Sequence, residues 1–134
     1  MRILYLHQYF TLPTESGGTR SYEFARRWQA HGHEVTIITS NSNLPSEYQK
    51  IRRPVRTVLA GLPVAIIPTH YTQKMSYPQR MGAFLLFALA ASREALRQRA
   101  DVIYASSTPL TIAIPGILAR TLRRIPLVME IRDL

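Results

Sequence analysis

Residues 1–39 read MRILYLHQYFTLPTESGGTRSYEFARRWQAHGHEVTIIT, and they hold the pattern from which the architecture follows. The run Arg2–His7 is short, apolar and followed by polar residues, which predicts a first buried strand. A loop through Gly17 and Gly18 comes next. The β-branched stretch EVTIIT, residues 34–39, predicts a second strand.

A helix is expected between these two strands. Phe24, Ala25 and Trp28 fall on one face of a helical turn, while their neighbours are polar or charged. Thr19 is a candidate N-cap, and Gly32 suits the position just beyond a helix end. Strand, glycine-rich turn, helix and strand together make a βαβ unit.

The rest of the chain repeats this alternation. It predicts strands at 55–59, 64–68, 101–105 and 126–131, and helices at 79–99 and 109–124. Along the helix at 79–99, the apolar residues that recur at helical spacing predict one core-facing side: Met81, Phe84, Leu85, Ala88, Ala91, Ala95 and Leu96. Thr108 and Pro109 suit the N-cap and N1 positions of the last helix, and Pro115 is expected to kink it. The polar residues 41–53 predict a mobile surface loop. The whole pattern predicts an α/β fold with a mostly parallel sheet covered on both faces.

Composition limits the classes of protein that remain. The chain has 134 residues, enough for one domain, and 17 Lys and Arg against 8 Asp and Glu give a net charge of +9. The absence of cysteine excludes disulfide scaffolds and thiolate metal sites. The opening residues predict a strand and not a signal peptide, and the uncharged stretches 81–92 and 102–119 are too short or too interrupted to span a bilayer.

The positive charge is concentrated between residues 50 and 99, which hold nine basic residues and one acidic residue, Glu94. Most of the basic residues in the chain are Arg, which binds phosphate groups with a planar two-pronged contact. We therefore expect an anionic partner such as a phosphate or a phospholipid, although Arg on solvated helix faces can simply promote solubility. No zinc finger or RNA-binding motif is present, so nucleic acid is not an expected partner.

Ligands of parallel sheets bind beyond the carboxyl ends of the strands. Gly17 and Gly18 are the best candidates there, because they allow close backbone approach and precede a helix N-terminus, although a plain tight turn explains them equally well. Ser106 and Ser107 follow a predicted strand. They are candidate nucleophiles, but a role as capping residues explains them more simply. The sequence lacks both G-x-G-x-x-G and the P-loop motif, which excludes common dehydrogenases and ATPases, and its histidines lack metal-ligand spacing.

Taken in order, several segments resemble the amino-terminal half of glycosyltransferase family 4 enzymes, and in particular the WbuB-type branch that builds bacterial O-antigen, capsule and exopolysaccharide. The resemblance lies in residues 3–10, 17–25, 32–40, 71–75, 105–111 and 130–134. It implies a GT-B architecture of two Rossmann-like domains. Residues 1–134 are then the N-terminal acceptor-side domain, a three-layer sandwich, and the donor-binding domain is missing, so this part alone is expected to be inactive.

The resemblance also implies an activity and a location. Such enzymes transfer a sugar from a nucleotide-sugar with retention of configuration, without a metal or other cofactor. Their acceptor in this branch is a polyprenyl-diphosphate-linked saccharide, which implies a cytoplasmic protein bound peripherally at the inner face of the membrane. The alternative, from the residues alone, is a non-catalytic Rossmann-like module that binds an anionic ligand or a membrane surface.

Site residues follow from the resemblance position by position. Gly17, Gly18 and Arg20 are expected to approach the donor diphosphate and sugar. Arg132 stands where many members have a catalytic His, so a permanent cation replaces an imidazole and either stabilises diphosphate charge or pairs with Asp133. The acceptor is expected to contact the following residues: His7, Tyr71, Lys74, Arg80, Ser107 and Thr108.

The start of the long helix raises a further question. Lys74 and Arg80 flank a short loop, and Met81, Phe84 and Phe87 follow on the helix. One hypothesis is that this loop and helix start meet the lipid surface. The alternative is that Met81 and Phe84 face the sheet as core.

Overall fold

The computed structural model describes residues 1–15, 17–69, 74–107 and 109–132. They form a six-stranded sheet with helices on both faces, which confirms the predicted α/β class. The elements in chain order are β1 (Arg2–Leu6), α1 (Arg20–Ala30), β2 (Glu34–Ser40), β3 (Val55–Leu59), β4 (Leu62–Ile67), α2 (Tyr77–Arg97), β5 (Val102–Ser106), α3 (Ala113–Arg123) and β6 (Leu127–Glu130).

The strands lie in the order β3-β4-β2-β1-β5-β6. All neighbouring pairs are parallel except β3 and β4, which form an antiparallel hairpin at one edge. The chain runs outward from β1 through β2 to the hairpin and then returns to β5 on the other side of β1. The carboxyl ends of β1 and β5 therefore form a topological switch point, the place where open α/β sheets bind ligands.

Each face of the sheet carries its own core. On one face, α1 packs over an aromatic cluster in which the ring centroids of Tyr5 and Trp28 each lie 5.1 Å from that of Tyr104. On the other face, α2 and α3 cover Leu4, Leu6 and their neighbours. Successive residues of β1 alternate between these two cores, as the pleat of a strand requires.

The core face of α2 is built mainly from small residues. Ala88, Ala91 and Ala95 are fully buried, which lets the helix lie close to the sheet. Phe87 is buried as well. Met81 and Phe84, for which a core position was the alternative, are only half-buried. The spacing of apolar residues wrongly assigned Leu85 to the core face; its side chain is 45% exposed.

The start of α3 differs from the sequence prediction. Residues Leu110–Ile112 form a 3-10 turn, and the α-helix begins only at Ala113. Pro109 occupies the N-cap position of that turn and not the N1 position of a helix. Pro115 lies in the first turn of α3, where proline is tolerated without a kink, and not in the interior of the helix. Thr108 lies outside the described residues.

Two further expectations are corrected by hydrogen bonds. Thr19 occupies the N-cap position of α1, but its side chain makes no capping hydrogen bond. Residues 41–53 are organised and not a free loop: Asn41 is buried, its Nδ2 donates to the carbonyl of Tyr48 at 3.0 Å, and its Oδ1 accepts from the amide of Thr69 at 3.0 Å. The Asn41 side chain therefore connects residues 41–53 to the segment just after β4.

Gly116 lets α3 approach the sheet. A Cβ atom at this position would lie 2.9 Å from Leu127 Cδ1 and 3.7 Å from Ala105 Cβ. We expect Gly116→Val to lower the free energy of unfolding by about 1–3 kcal/mol, because overpacking forces neighbouring side chains from their preferred rotamers. Urea denaturation of both proteins measures this change.

The matched control is Gly82→Ala in α2, where an added Cβ meets nothing within 4 Å. Alanine is the better helix former by about 1 kcal/mol, so this variant is expected to equal or exceed the wild type in stability. Equal destabilisation by both substitutions would contradict the packing explanation for Gly116, because the side chain at position 82 has open space around it.

Candidate functional site

A polar network occupies the carboxyl edge of the sheet on the α1 face. It is built from the ends of β1, β5 and β6 and from the first turn of α1. Strand alternation explains its position: Tyr104 and Ser106 of β5 point to the α1 face, as does Glu130 of β6. The network therefore lies at the switch point between β1 and β5 and continues to the edge strand.

Glu130 is the centre of the network. Ser106 Oγ donates to Glu130 Oε1, and Tyr104 OH donates to Oε2 at 3.0 Å. Arg20 Nη1 approaches the same Oε2 at 3.6 Å from the first turn of α1. Burial would raise the pKa of Glu130, but hydrogen bonds from Ser106, Arg132 and Tyr104 outweigh it and place the pKa below its ordinary value. The carboxylate is therefore charged at neutral pH.

Arg132 is held by three groups. Its Nε donates to Glu130 Oε1 at 2.6 Å, its Nη2 donates to Ser21 Oγ at 3.0 Å, and its backbone amide donates to Ser107 Oγ at 2.8 Å. Among the described residues, none accepts a hydrogen bond from Nη1. The side chain is 22% exposed, so the guanidinium is oriented by the protein yet reaches the surface.

His7 is buried behind the arginine. Its Nδ1 lies 2.7 Å from Ser21 Oγ, so the serine hydroxyl bridges the imidazole and the guanidinium of Arg132. Burial and the positive charge of Arg132 lower the pKa of His7 to about 4, although Glu130 opposes the shift. The imidazole is therefore neutral at pH 7. Burial, reinforced by the hydrogen bond to Glu130, raises the pKa of Tyr104 to about 12, which keeps its hydroxyl a donor.

The glycine turn lies just before α1. Gly17 and Gly18 are exposed, and no described residue accepts a hydrogen bond from either amide. Gly17 has φ = +127°, a conformation that disfavours any residue with a Cβ. The turn is open to solvent, as a backbone contact with a ligand requires, and its role with the donor stays a prediction.

The predicted acceptor residues do not form one cluster. His7 and Ser107 both contact the network around Arg132, while Lys74 is exposed beside the start of α2. Arg80 is half-buried, and its Nε donates to the carbonyl of Met75 at 3.1 Å. Tyr71, Thr108 and Asp133 lie outside the described residues. The pairing of Arg132 with Asp133 therefore stays a prediction.

Three members of the network escaped the sequence analysis as site residues: Ser21, Tyr104 and Glu130. A signal for two of them is present in the sequence. Tyr104 and Ser106 are polar residues two positions apart in an otherwise apolar strand, and Glu130 is an acid in another apolar strand. Polar groups on buried strands require partners. Ser21 carries no such signal.

Metal-ligand clusters and membrane-spanning helices are both absent from the described ranges. No three His, Asp or Glu side chains there are grouped as metal ligands. No helix there combines the length and the apolar character needed to cross a bilayer.

The fold and the site define an α/β domain of the doubly wound type with a cationic, hydroxyl-rich switch point. A family model described as a glycosyl transferase 4-like domain matches residues 17–134. The chain therefore belongs to the glycosyl transferase 4-like domain family. A search of curated proteins found no match.

Solved structures share this fold at low sequence identity. The catalytic domain of starch synthase IV from Arabidopsis thaliana, bound to ADP and acarbose, gives a TM-score of 0.69 at 17% identity over 98% of this chain and 34% of its own. MurG from Acinetobacter baumannii gives 0.60 at 15% over 97% and 35%. The C-terminal domain of a hydrogenase from Pyrococcus furiosus gives 0.65 at 13% over 96% and 90%.

These similarities establish the architecture. The chain spans about a third of the length of the two glycosyltransferase chains that it matches, and 90% of the hydrogenase domain. The residues shared with the glycosyltransferases thus form one domain-sized part of each enzyme.

The burial of His7 predicts a pH dependence of stability. The pKa is about 4 in the folded protein and 6.5 as the ordinary value, so the unfolded chain binds more protons between these pH values. Stability must therefore fall as the pH drops from about 6.5 to 4, by about 3 kcal/mol for a shift of this size. Urea unfolding across pH 4–7.5 measures the slope.

His7→Gln removes this titration, so the variant should lose less stability than the wild type over the same window. The matched control is His31→Gln on the exposed end of α1, which should keep the wild-type slope. Parallel pH profiles for the wild type and His7→Gln would contradict the assignment. Acid effects below pH 4.5 from Glu130 are common to all three proteins and cancel in the comparison.

Proposed function

We propose that this chain is the N-terminal, acceptor-side domain of a retaining glycosyltransferase, which moves a sugar from a nucleotide-sugar to a polyprenyl-diphosphate-linked saccharide. The product would be bacterial cell-surface polysaccharide, O-antigen, capsule or exopolysaccharide, as in the WbuB-type branch. The observation that carries the proposal is the Arg132 guanidinium, held at the switch point by Glu130 and by Ser21 of the helix that follows the turn at Gly17 and Gly18.

A cation at this place suits the proposed chemistry. When the bond between the anomeric carbon and the diphosphate breaks, negative charge grows on the leaving phosphate oxygen. The Arg132 guanidinium is a cation and presents Nη1 to that oxygen, while the amides of Gly17 and Gly18 contact the rest of the diphosphate. Glu130 acts by fixing the plane of the guanidinium. No protein nucleophile, metal or other cofactor is assigned.

The neighbours support a nucleotide-sugar donor. The starch synthase structure contains ADP, and a trehalose-6-phosphate enzyme from E. coli with a TM-score of 0.54 contains UDP-2-fluoro glucose. This chain accounts for about a third of each of those chains. Following the family resemblance, we propose that a second domain holds most of the donor nucleotide and that the cleft between the two domains closes over the donor.

The acceptor is proposed to enter from the side of His7 and Ser107, with Lys74, Arg80, Tyr71 and Thr108 completing its contacts and Asp133 adjoining Arg132. His7 and Ser107 support this because both contact the Arg132 network. Ser21 Oγ already occupies His7 Nδ1, so the neutral imidazole offers its Nε2 to a sugar hydroxyl.

The outer face of α2 supports the proposed membrane contact. Leu85, Leu86 and Leu89 are 45%, 70% and 62% exposed. Arg93 and Arg97 continue the same row at intervals of four residues and are exposed as well. Leucines beside cations are typical of helix faces that lie in the interface of an anionic bilayer. The earlier hypothesis named Met81, Phe84 and Phe87, which are half-buried or buried, so the proposed contact moves to these leucines.

Arg132→Ala tests the transferase proposal in the longest natural protein that contains this domain. We expect kcat to fall at least about 100-fold, because one group that stabilises transition-state charge is removed. The assay measures sugar release from UDP-, GDP- and dTDP-sugars in the presence of a lipid-linked acceptor, and NMR of the product measures retention.

Arg120→Ala is the matched control, since Arg120 is an exposed arginine on α3, and it should keep wild-type kcat. Binding of a nucleotide-sugar without transfer by the wild type would instead support the alternative, a non-catalytic anion-binding module. Full activity of Arg132→Ala would remove Arg132 from the reaction.

The membrane proposal predicts that Leu85→Ser with Leu89→Ser weakens binding to anionic vesicles at least about tenfold. The serines remove the apolar surface that two partly exposed leucines transfer into the membrane interface. A loss of about 1.4 kcal/mol in binding free energy lowers the affinity tenfold. Vesicle sedimentation measures the affinity, with neutral vesicles expected to bind weakly. Leu122→Ser on α3, which is equally exposed, serves as the control and should bind like the wild type. Identical binding by all three proteins would refute the contact.

A further inference from the structure

An apolar groove lies at the other side of the same sheet edge, between the end of β4 and the first half of α2. Its volume is about 610 Å3, which is within the range of small-molecule sites, about 300–1,000 Å3. The lining is mostly apolar, and the side chains that the argument uses are Ile67, Met75, Ala83, Leu86, Phe87 and Ala90. Lys74 is the charged residue among the described lining residues.

Gly82 gives this groove its room. It is the sixth residue of α2, where glycine weakens a helix relative to alanine. Its φ is not positive, and a Cβ at this position would meet nothing within 4 Å. Neither the backbone nor the packing of the described residues explains the glycine. It widens a groove wall and is the position at which a larger side chain would fill the space.

The charge around the groove favours an anionic occupant. Lys74 is exposed at the rim. Glu94, the only acidic residue between 50 and 99, is buried, and its Oε1 accepts from Arg56 Nε at 2.7 Å. It therefore does not offset the cations of α2. An apolar trough with a cationic rim suits a hydrocarbon chain that ends in a phosphate.

The groove is continuous with the exposed leucines of α2. Leu86 lines the groove and is 70% exposed on the outer face of the helix, next to Leu85 and Leu89. A hydrocarbon chain that leaves a bilayer along these leucines can enter the groove without contact with water. Contact with water would cost the free energy of transferring its apolar surface. The groove also opens at the carboxyl edge of the sheet, where the Arg132 network lies.

We infer that this groove binds the first isoprene units of the lipid-linked acceptor, with the Lys74 ammonium beside the diphosphate. The inference rests on the proposed function, because the proposed acceptor supplies such a chain. Ala83, Phe87 and Ala90 contact the chain, and Gly82 leaves it space. The lipid is thus held by its chain as well as by its charged head.

Binding of farnesyl diphosphate to the 134-residue protein tests the inference. Inorganic pyrophosphate, which lacks the prenyl chain, measures the contribution of the diphosphate head. Isothermal titration should show farnesyl diphosphate binding at least about 100-fold more tightly, since each buried methylene adds several-fold in affinity. In NMR spectra, prenyl methyl protons should show contacts to the methyl groups of Ala83 and Ala90. Equal affinity for the two probes would overturn the inference, as would prenyl contacts at other residues.

Gly82→Phe fills the groove and should weaken farnesyl diphosphate binding at least about tenfold while leaving pyrophosphate binding unchanged. Gly82→Ala is the matched control and should stay within about threefold of the wild type. Circular dichroism checks that both variants fold, and if Gly82→Phe does not fold, the methyl contacts in the wild type decide. Wild-type affinity of a folded Gly82→Phe for farnesyl diphosphate would overturn the inference.

The groove and the transferase proposal can fail separately. Sugar transfer by the longer protein to a soluble acceptor without a prenyl chain, combined with no preference for farnesyl diphosphate, would overturn only the groove. Tight, Gly82-dependent binding of farnesyl diphosphate without any sugar transfer supports the groove as a prenyl site and counts against the transferase.

Discussion

The contact between Glu130 and Arg132 organises the site. The Nε–Oε1 distance is 2.6 Å, and both side chains are largely removed from solvent. A charge in such a place costs free energy unless it is paired and hydrogen-bonded, and removal of one partner from a buried pair costs several kcal/mol. Here Ser106 and Tyr104 satisfy the carboxylate, while Ser21 satisfies the guanidinium. The arginine therefore has one orientation, which no flexible surface side chain could keep.

The sheet separates two kinds of surface at one edge. On the α1 face, polar residues surround the switch point and a neutral, buried His7 lies behind a cation. On the α2 face, the edge carries an apolar groove and a row of exposed leucines. Both lie at the carboxyl edge because the central strands are parallel and end together. The two faces of one layer thus offer a polar, cationic site and an apolar groove at the same edge of the sheet.

The long helix shows how far periodicity reaches. Spacing predicted its existence, and the capping box of Ser76 and Gln79 confirms a start close to the predicted one. The burial of individual residues was harder to predict: Leu85 was expected in the core and is exposed, while alanines fill the core. A 3.6-residue period identifies an amphipathic helix, but the distance to the sheet decides whether alanine or leucine fits. Gly116 makes the same point for α3.

The site was predicted unevenly. Gly17 and Gly18 were named from their place before a helix, and Arg132 was named from a family resemblance. The structure holds Arg132 firmly at the switch point. Ser21, which bridges Arg132 and His7, was not named. It lies 111 positions from Arg132 in the chain, and no local pattern marks a serine in the first turn of a helix as anything but a surface residue.

The sequence by itself determined the order of strands and helices, the parallel sheet and the cationic character of the chain, because these depend on local periodicity, turn residues and counts of charge. Only the tertiary structure decided which polar side chains meet at the switch point and which apolar ones stay exposed. Those outcomes depend on strand register, on the approach of each helix to the sheet and on the pairing of charges removed from water, and all three are set between residues that are far apart in the chain.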